Sequence, residues 1–409
     1  MADSFSTDLS VRSCFLVACS FIGYMTLGTA LSLYNKWMFS ILGLAIPLSV
    51  SAIHQILGSV WIFVFVAPSF CGVKRWCYSV SGMTSTRLPM WQRVAFILFL
   101  SIFIASNLGL NNVSLVYLSL VDVQLVRATF PFFTLITFLI VEGRRPHWSQ
   151  LLAVFVVVAG AVLTVAAHAT RWKMSVVGLV ICGISVLCAA MMTSVVATFA
   201  GGKPMFAYVC ARRRQRRGKD KAAPPTLKLN GLETALYTGL PSGLFITPFI
   251  FLTGEHKQWA RFGGRHTYAE LIGWIAIGTV MALLYNLAHY EFIQRTTSLF
   301  TSVTGTFRMV IVIFLSELLV QYTSLPPLSV LGVAVVVVGF LLMAFFEEAL
   351  RRARAKQRAE DRRDGVSDPL VVAEADSESG VTAEAEAEAE ADGDGDGEEY
   401  GAGGGRKTE

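Results

Sequence analysis

The chain has 409 residues, of which 54% are hydrophobic and only 15% are charged, and its mean hydropathy is positive. In soluble domains about a quarter of the residues are charged. The composition therefore argues against a soluble enzyme, a secreted disulfide scaffold and a nucleic-acid-binding domain. The charge is also segregated, because residues 371–409 hold 13 of the 29 acidic side chains but only 2 of the 34 basic ones. Long apolar runs separated by basic clusters and followed by an acidic tail predict a polytopic membrane protein.

The apolar runs predict the number of spans. A helix that crosses the hydrocarbon core of a bilayer needs about 20 mostly apolar residues. Ten stretches meet this requirement, at roughly 14–34, 44–67, 91–111, 117–140, 150–168, 175–199, 232–252, 269–290, 298–320 and 327–346. The predicted fold class is therefore an all-α polytopic membrane protein with ten transmembrane helices and a disordered C-terminal tail.

The basic residues predict the orientation of these spans. Lys and Arg concentrate in the loops after even-numbered spans, most of all in the run 212–219, and such loops face the cytosol. Both termini are therefore predicted to be cytosolic. The predicted organisation is a cytosolic N-terminus (1–13), a first part with spans 1–6 (14–199), a basic cytosolic loop (200–231), spans 7–10 (232–346) and a basic, then acidic tail (347–409).

The seven cysteines show no metal-ligand spacing and no disulfide framework. The sequence contains no pair of intramembrane aspartates and no other catalytic constellation. We therefore predict no metal, no cofactor and no enzymatic activity. The expected partners are membrane lipids and, from the arginines described below, a small phosphorylated substrate, with no nucleic acid, and a homodimer stays open.

Two arginines indicate an internal repeat. Arg127 lies near the middle of span 4 and Arg308 near the middle of span 9, 181 residues later. Spans 3 and 8, and spans 5 and 10, are separated by a similar offset. Ten spans with both ends on one side suit a 5+5 inverted repeat, an arrangement in which transporters place the substrate near the bilayer midplane.

A central arginine costs about 2.5–3.5 kcal/mol on insertion scales, so each must find a partner or water. Structural pairing would join Arg127 to Asp122 or Glu142, and Arg308 to Glu317. The helical geometry of the local pairs is poor, because Asp122 lies on another face and Glu317 lies about 13 Å further along the axis. We therefore predict that both arginines line an aqueous cavity and bind an anion, for which the planar guanidinium suits phosphate.

The residues around the two arginines fit such a cavity. Pro131 is predicted to kink span 4, and Gly305 to allow close approach beside Arg308. Four more polar side chains complete the predicted substrate-binding set: Tyr285, Asn286, Asn111 and Asn107. Each of these could instead make an interhelical hydrogen bond, which is a common use of polar residues in membranes.

Several segments together carry a family resemblance. They are YNKW (34–37), SNLGLNNVS (106–114), VRATFPFF (126–133), YN (285–286) and TSLFTSVTGTFR (297–308). In their order and spacing they resemble the triose-phosphate translocator and nucleotide-sugar transporter group of the drug/metabolite transporter superfamily. The resemblance covers roughly residues 15–346, and the stretch 291–299 is most similar to the GDP-fucose-transporter-like branch.

This resemblance implies ten helices, cytosolic termini and antiport by alternating access. Plastid members of the group hold phosphate with a lysine on span 4, a tyrosine on span 8 and a basic pair on span 9. Arg127, Tyr285 and Arg308 match three of these positions, whereas Met309 is neutral at the fourth, which argues against a triose-phosphate substrate. The Gly-Ala-Leu-Asn-Lys motif of GDP-mannose transporters is also absent. No plastid transit peptide precedes span 1, so a Golgi or endoplasmic-reticulum membrane is expected.

The function predicted from these observations is antiport of phosphorylated organic anions, with a nucleotide sugar exchanged for a nucleoside monophosphate. Three alternatives stay open. The chain could exchange phosphate for triose phosphate, or it could be a proton-coupled drug or metabolite exporter that uses Asp122, Glu317 or Glu291. It could also be a membrane regulator that transports nothing and binds partners through its charged segments.

Overall fold

The computed structural model describes residues 2–40, 46–70, 89–118, 120–167, 175–200, 227, 229–262, 267–316 and 326–363. These residues form twelve α-helices. In chain order they are α1 (Ala2–Ser40), α2 (Pro47–Phe70), α3 (Met90–Tyr117), α4 (Leu120–Ala128), α5 (Phe130–Ile140), α6 (Trp148–Ala166), α7 (Val176–Ala200), α8 (Gly231–Leu252), α9 (His256–Phe262), α10 (Tyr268–Arg295), α11 (Ser298–Ser316) and α12 (Pro327–Arg363). The basic run 212–219, Glu317 and the acidic tail lie outside the described residues.

The ten predicted spans are confirmed. Ten helical segments in the described part of the chain are long and apolar enough to cross a membrane. Their bounds agree with the predicted ones to within five residues: the fourth span, Asp122–Ile140, begins later than predicted, the ninth, Ser298–Leu315, ends earlier, and the eighth and tenth, Ala269–Arg295 and Pro327–Leu350, end later. The all-α fold class is confirmed with them. The inverted repeat stays a prediction.

The fourth span consists of two helices. α4 ends at Ala128, Thr129 forms a turn, and α5 begins with Pro131 in its first turn. A proline is tolerated in the first turn of a helix, because a backbone N–H at that position would have no intrahelical acceptor. In the interior of a continuous helix it removes a backbone hydrogen bond. The interruption therefore falls at Thr129, two residues after Arg127.

Hydrogen bonds between distant segments define the two ends of the bundle. At one end, which we call the Glu142 end, the Ser298 hydroxyl donates to Glu142, and Gln150 Nε2 donates to Glu347 Oε2 over 2.9 Å. At the opposite end, the Glu255 end, the Glu255 carboxylate accepts from the backbone N–H groups at the start of α2. These contacts fix how the ends of sequence-distant helices meet.

Two main apolar clusters hold the bundle together. One joins α3, α7, α8 and α10 and includes Leu100, Phe199 and Ile293. The other joins α5, α6, α11 and α12 and includes Val157 and Leu299. Many other apolar side chains are exposed on the outer surface, as expected for a surface that faces lipid.

Small residues permit close helix packing in the second cluster. A Cβ added at Gly160 in α6 would lie 2.7 Å from the backbone nitrogen of Val336 and 2.9 Å from the carbonyl oxygen of Gly332 in α12. Backbones approach this closely in membranes only where side chains are small. The chain also divides by contacts into Met1–Leu350 and Arg351–Glu409, and the described part of the second unit is the continuation of α12 to Arg363.

Candidate substrate site

Arg308 is held between two tyrosine rings. Its Cζ lies 4.7 Å from the ring centroid of Tyr24 on α1 and 4.9 Å from that of Tyr285 on α10. A guanidinium within about 6 Å of a ring centroid is attracted by the quadrupole of the ring, and the attraction grows when water is excluded. Three helices therefore position one cation, which sits near the middle of α11.

Gly28 makes room for this cation. A Cβ at Gly28 would collide with Arg308 Nη1 and would lie 2.9 Å from Arg308 Cζ and 2.9 Å from Tyr285 Cε2. Gly28 lies one turn after Tyr24 on the same face of α1. The bare backbone of α1 at this point is therefore one wall of the arginine site.

The hydrogen-bonding capacity of Arg308 is not filled. Its Nη1 atom is buried and has no hydrogen-bond partner among the described residues. Within the same part of the chain, no carboxylate forms a salt bridge with Arg308 or with Arg127. A buried donor without a partner costs about 1–3 kcal/mol, and more for a charged group. The arrangement can therefore accept an anion.

Arg127 is oriented by an asparagine. Its Nη1 atom donates to Asn111 Oδ1 over 2.6 Å, which joins α4 to α3. The amide is neutral, so it fixes the direction of the guanidinium without cancelling its charge. Glu142, considered above as a structural partner of Arg127, instead accepts a hydrogen bond from Ser298 at the Glu142 end.

The two arginines belong to one polar region. Arg127 interacts electrostatically with Arg308, Tyr285 and Tyr24. Tyr24 and Tyr285 stack with ring centroids 5.8 Å apart, and His289 stacks on both rings, 4.8 Å from Tyr24 and 5.6 Å from Tyr285. Two like charges thus interact in a region that also contains three stacked aromatic rings, which suits the binding of a multiply charged phosphate.

The remaining predicted site residues lie in different surroundings. Asn107 accepts a hydrogen bond from Ser185 at both its carbonyl oxygen (2.9 Å) and its Oδ1 atom (3.3 Å), so it joins α3 to α7. Asn286 is half-buried on α10, next to Tyr285 in the sequence. A Cβ at Gly305 would lie 3.2 Å from the Tyr24 hydroxyl, which places this glycine beside one of the two rings that hold Arg308, and Pro131 is buried in α5.

Tyr24 and Gly28 were missed as site residues by sequence reasoning. Each lies in an apolar stretch of span 1, where a tyrosine and a glycine are ordinary residues. Their spacing of four could have indicated one helical face, but nothing in the sequence shows that this face meets Arg308, 280 residues later. Glu291, a candidate for proton coupling, is ion-paired with Arg295 over 3.1 Å.

Ten apolar helices in the described part of the chain, each long enough to cross a membrane, define the class as a multi-pass membrane protein. Residues 16–344 match the model of the Triose-phosphate Transporter family, and the chain belongs to this family of transporters. The resemblance inferred from the motifs is thereby confirmed.

The individual relatives described next share about a quarter of their aligned residues with this chain. Human "Solute carrier family 35 member E4" is 25% identical over 338 residues, which cover 80% of this chain and 79% of the human protein. "Putative nucleotide-sugar transporter YMD8" of Saccharomyces cerevisiae is 26% identical over 148 residues, or 35% of this chain and 32% of the yeast protein. A solved crystal structure matches with a TM-score of 0.52 and 13% identity, covering 82% of this chain and 98% of its own, which supports the fold alone.

Proposed function

We propose that this transporter is an antiporter of phosphorylated organic anions that exchanges a nucleotide sugar for a nucleoside monophosphate. Arg127 and Arg308 bind the phosphate groups, and Tyr285 adds a hydrogen bond. The observation that carries this proposal is the buried Nη1 atom of Arg308, which lacks a partner among the described residues while two aromatic rings hold its guanidinium in place.

Two features favour a nucleotide sugar over a triose phosphate. Met309 leaves span 9 with one positive charge at this level, where the plastid pattern has two. The name of the yeast relative also refers to nucleotide sugars. A nucleotide sugar offers two phosphates to the pair of arginines and carries further polar groups that other residues can recognise.

The charges in the site give a physical reason for exchange. In an empty carrier, Arg127 and Arg308 repel each other without a counter-anion, and the repulsion is strong where water is scarce. A bound phosphate removes this repulsion, so the loaded carrier closes and reopens on the other side more readily than the empty one. Rocking of the two halves about the bound ligand then couples export of one anion to import of the other.

The basic loops orient the protein in this proposal. The Glu142 end, which carries Arg144 and Arg145, faces the cytosol, and the Glu255 end faces the lumen of the Golgi or endoplasmic reticulum. Both termini are then cytosolic. The substrate made in the cytosol enters at the Glu142 end, and the nucleotide monophosphate returns from the lumen.

Reconstitution into liposomes tests the proposal. Vesicles preloaded with UMP, GMP, AMP or CMP, and empty vesicles, are offered labelled UDP-, GDP- and CMP-sugars. We expect uptake only where the internal and external nucleotides match and where the vesicles are loaded. Arg127→Gln and Arg308→Gln should each abolish uptake, whereas Arg93→Gln, at the start of α3 and away from the site, should not. Equal uptake into empty and loaded vesicles would contradict obligate exchange, and uptake that survives both site substitutions would contradict the site.

A further inference from the structure

A second layer of polar atoms lies two helical turns from the arginine site, toward the Glu255 end. Three buried side-chain atoms in the described residues lack a hydrogen-bond partner: Arg308 Nη1, Asn35 Oδ1 and His54 Nε2. The first is a donor in the arginine site. The other two belong to α1 and α2, and their positions can be compared with that site.

Asn35 shares a face of α1 with the arginine site. Asn35 follows Gly28 by seven residues, which returns a helix to within about 20° of the same direction and advances about 10 Å along the axis. Gly28 faces Arg308 and Tyr285. Asn35 therefore lies on the arginine-facing side of α1, displaced toward the Glu255 end, where the neighbouring Tyr34 hydroxyl donates to the carbonyl of Trp274 over 2.8 Å.

His54, on α2, lies against α10 at the level that corresponds to Asn35 on α1. A Cβ at Gly278 would lie 2.8 Å from His54 Nε2 and 3.2 Å from Tyr34 Cε1. Gly278 precedes Tyr285 by seven residues, so it shares the Tyr285 face of α10 and is likewise displaced by about 10 Å toward the Glu255 end. The helical registers of α1 and α10 thus place Asn35 and His54 at about the same level, two turns from residues that contact Arg308.

Both atoms at this level are hydrogen-bond acceptors. Because the ring bonds to the backbone of Ile275 while Nε2 has no partner, we assign the ring proton to Nδ1, which leaves a lone pair at Nε2. Asn35 presents its amide oxygen. The arginine layer consists of donors that suit phosphate, whereas this second layer suits the hydroxyl or amino groups of the same ligand.

We infer that Asn35 and His54 form a second subsite, which recognises the hydroxyl or exocyclic amino groups of a phosphorylated ligand long enough to reach about 10 Å from its phosphate. This inference rests on the proposed function. A nucleotide or nucleotide sugar has the required length and donors. A three-carbon phosphate, whose chain of single bonds is shorter than this separation, engages only the arginine layer. Asn35 and His54 are therefore specificity-determining residues.

The two acceptors also explain how short ligands are rejected. Both atoms are buried in this conformation, so a ligand reaches them only when the surrounding helices move apart. When the carrier closes, Asn35 Oδ1 and His54 Nε2 lose their contact with water. A long ligand supplies replacement hydrogen bonds, whereas a short ligand leaves both atoms buried and unpaired. Sites built to bind a hydroxyl or amino group discriminate strongly against analogues that lack it for this reason.

Binding measurements with ligands of different length test the inference. The probes are glycerol 3-phosphate as the short ligand and UMP, GMP, UDP-glucose and GDP-mannose as the long ones, each titrated against the purified full chain in a thermal-shift assay. The variants are Asn35→Leu and His54→Leu. Asn112→Leu is the matched control, because the Asn112 amide donates within its own helix to the carbonyl of Leu108.

We expect the wild-type protein to bind at least one long probe more tightly than glycerol 3-phosphate. Asn35→Leu and His54→Leu should each weaken that long probe about tenfold, as for loss of one hydrogen bond, while changing the affinity for glycerol 3-phosphate less than twofold. Arg308→Gln should weaken both classes of probe. If His54→Leu does not fold, Asn35→Leu and the smaller Asn35→Ala decide the result.

The possible failures are distinguishable. A wild-type protein that binds short and long phosphates equally would overturn the second subsite and leave the proposed anion exchange intact. Equal weakening of both probe classes by Asn35→Leu would show a purely structural role and would also overturn it. Absence of binding by every phosphorylated probe would refute the proposed function, and the subsite with it.

Discussion

Gly28 on α1 lies directly against the guanidinium of Arg308 on α11. A methyl group on Gly28 would displace that guanidinium. The added Cβ would lie 2.9 Å from Arg308 Cζ, well inside van der Waals contact. The two residues are 280 positions apart and meet in the centre of the predicted site. The absence of a side chain at Gly28 is therefore what allows Tyr24 and Tyr285 to hold the cation.

Gly28→Ala is expected to disable the site without disrupting the bundle. The methyl group forces Arg308 away from both rings, and overpacking of this kind costs about 1–3 kcal/mol. Uptake into nucleotide-loaded liposomes should fall about tenfold or more, since each 1.4 kcal/mol corresponds to a factor of ten.

Gly183→Ala is the matched control for this prediction. A Cβ at Gly183 on α7 meets nothing within 4 Å, so this variant should transport as the wild type does. Normal uptake by Gly28→Ala would show that Arg308 can bind its ligand from another position, and the role assigned to Gly28 would be wrong.

The spans were predictable because their signal is local. A run of about 20 apolar residues has to form a helix in lipid, where unpaired backbone groups are costly, so each span can be identified without knowledge of its neighbours. The centrally placed arginines could also be identified locally, because a charged residue inside an apolar run is evident without knowledge of its neighbours. Their partners were not predictable, because the sequence does not show which face of α1 meets α11.

Asn107 and Asn111 illustrate the limit of such reasoning. Helical spacing places both on one side of span 3, and sequence alone gives them equal status. In the structure Asn111 accepts a hydrogen bond from Arg127, whereas Asn107 accepts one from Ser185 on α7. The difference arises from which neighbouring helix each residue meets, and that is a property of tertiary packing.

Asn111→Leu is expected to weaken phosphate binding by releasing Arg127. The bond between Asn111 and Arg127 involves a charged donor, and such bonds contribute about 1.5–3 kcal/mol. The affinity for the nucleotide that exchanges best should fall about tenfold in a thermal-shift titration. Asn112→Leu removes a local bond in the same helix and should leave the affinity unchanged. A wild-type affinity in Asn111→Leu would show that Arg127 needs no fixed orientation.

Glu142 is expected to make stability depend on pH. Burial raises the pKa of this carboxyl from 4.5 to about 7, nearby Glu347 raises it further, and the Ser298 hydrogen bond and Arg144 oppose the shift. Because the folded state binds the proton more tightly, the stabilising contribution is complete below pH 4.5 and is lost as the pH rises through about 7. The loss is of order 3 kcal/mol in total.

The pH dependence can be measured as the melting temperature of the purified protein between pH 5 and pH 8. The wild-type melting temperature should fall across this range, and Glu142→Gln should remove that part of the slope because its amide stays neutral. Glu348→Gln serves as the control, because Glu348 is exposed and lies next to Glu347 in the sequence, on α12. Identical slopes in Glu142→Gln and wild type would rule Glu142 out as the titrating group.

Glu255 is expected to stabilise the Glu255 end by capping α2. Its Oε1 atom accepts from the backbone N–H of Leu48 over 2.8 Å, and its Oε2 atom accepts from the N–H (2.9 Å) and the hydroxyl (3.0 Å) of Ser49. The carboxylate satisfies donors that the first turn of a helix cannot satisfy itself, and its charge is favourable at a helix N-terminus. Glu255→Ala should therefore lower the free energy of unfolding by about 2 kcal/mol.

Glu270→Ala provides the comparison, because Glu270 forms a capping box with Thr267 at the exposed start of α10. An exposed cap contributes about 1 kcal/mol or less, so its loss should lower the melting temperature by a smaller amount. The distinction depends on burial, since Glu255 is only 4% exposed and its three donors would be left without water when it is removed. Equal destabilisation by the two substitutions would mean that the N-terminus of α2 is hydrated and that Glu255 does not act as a buried cap.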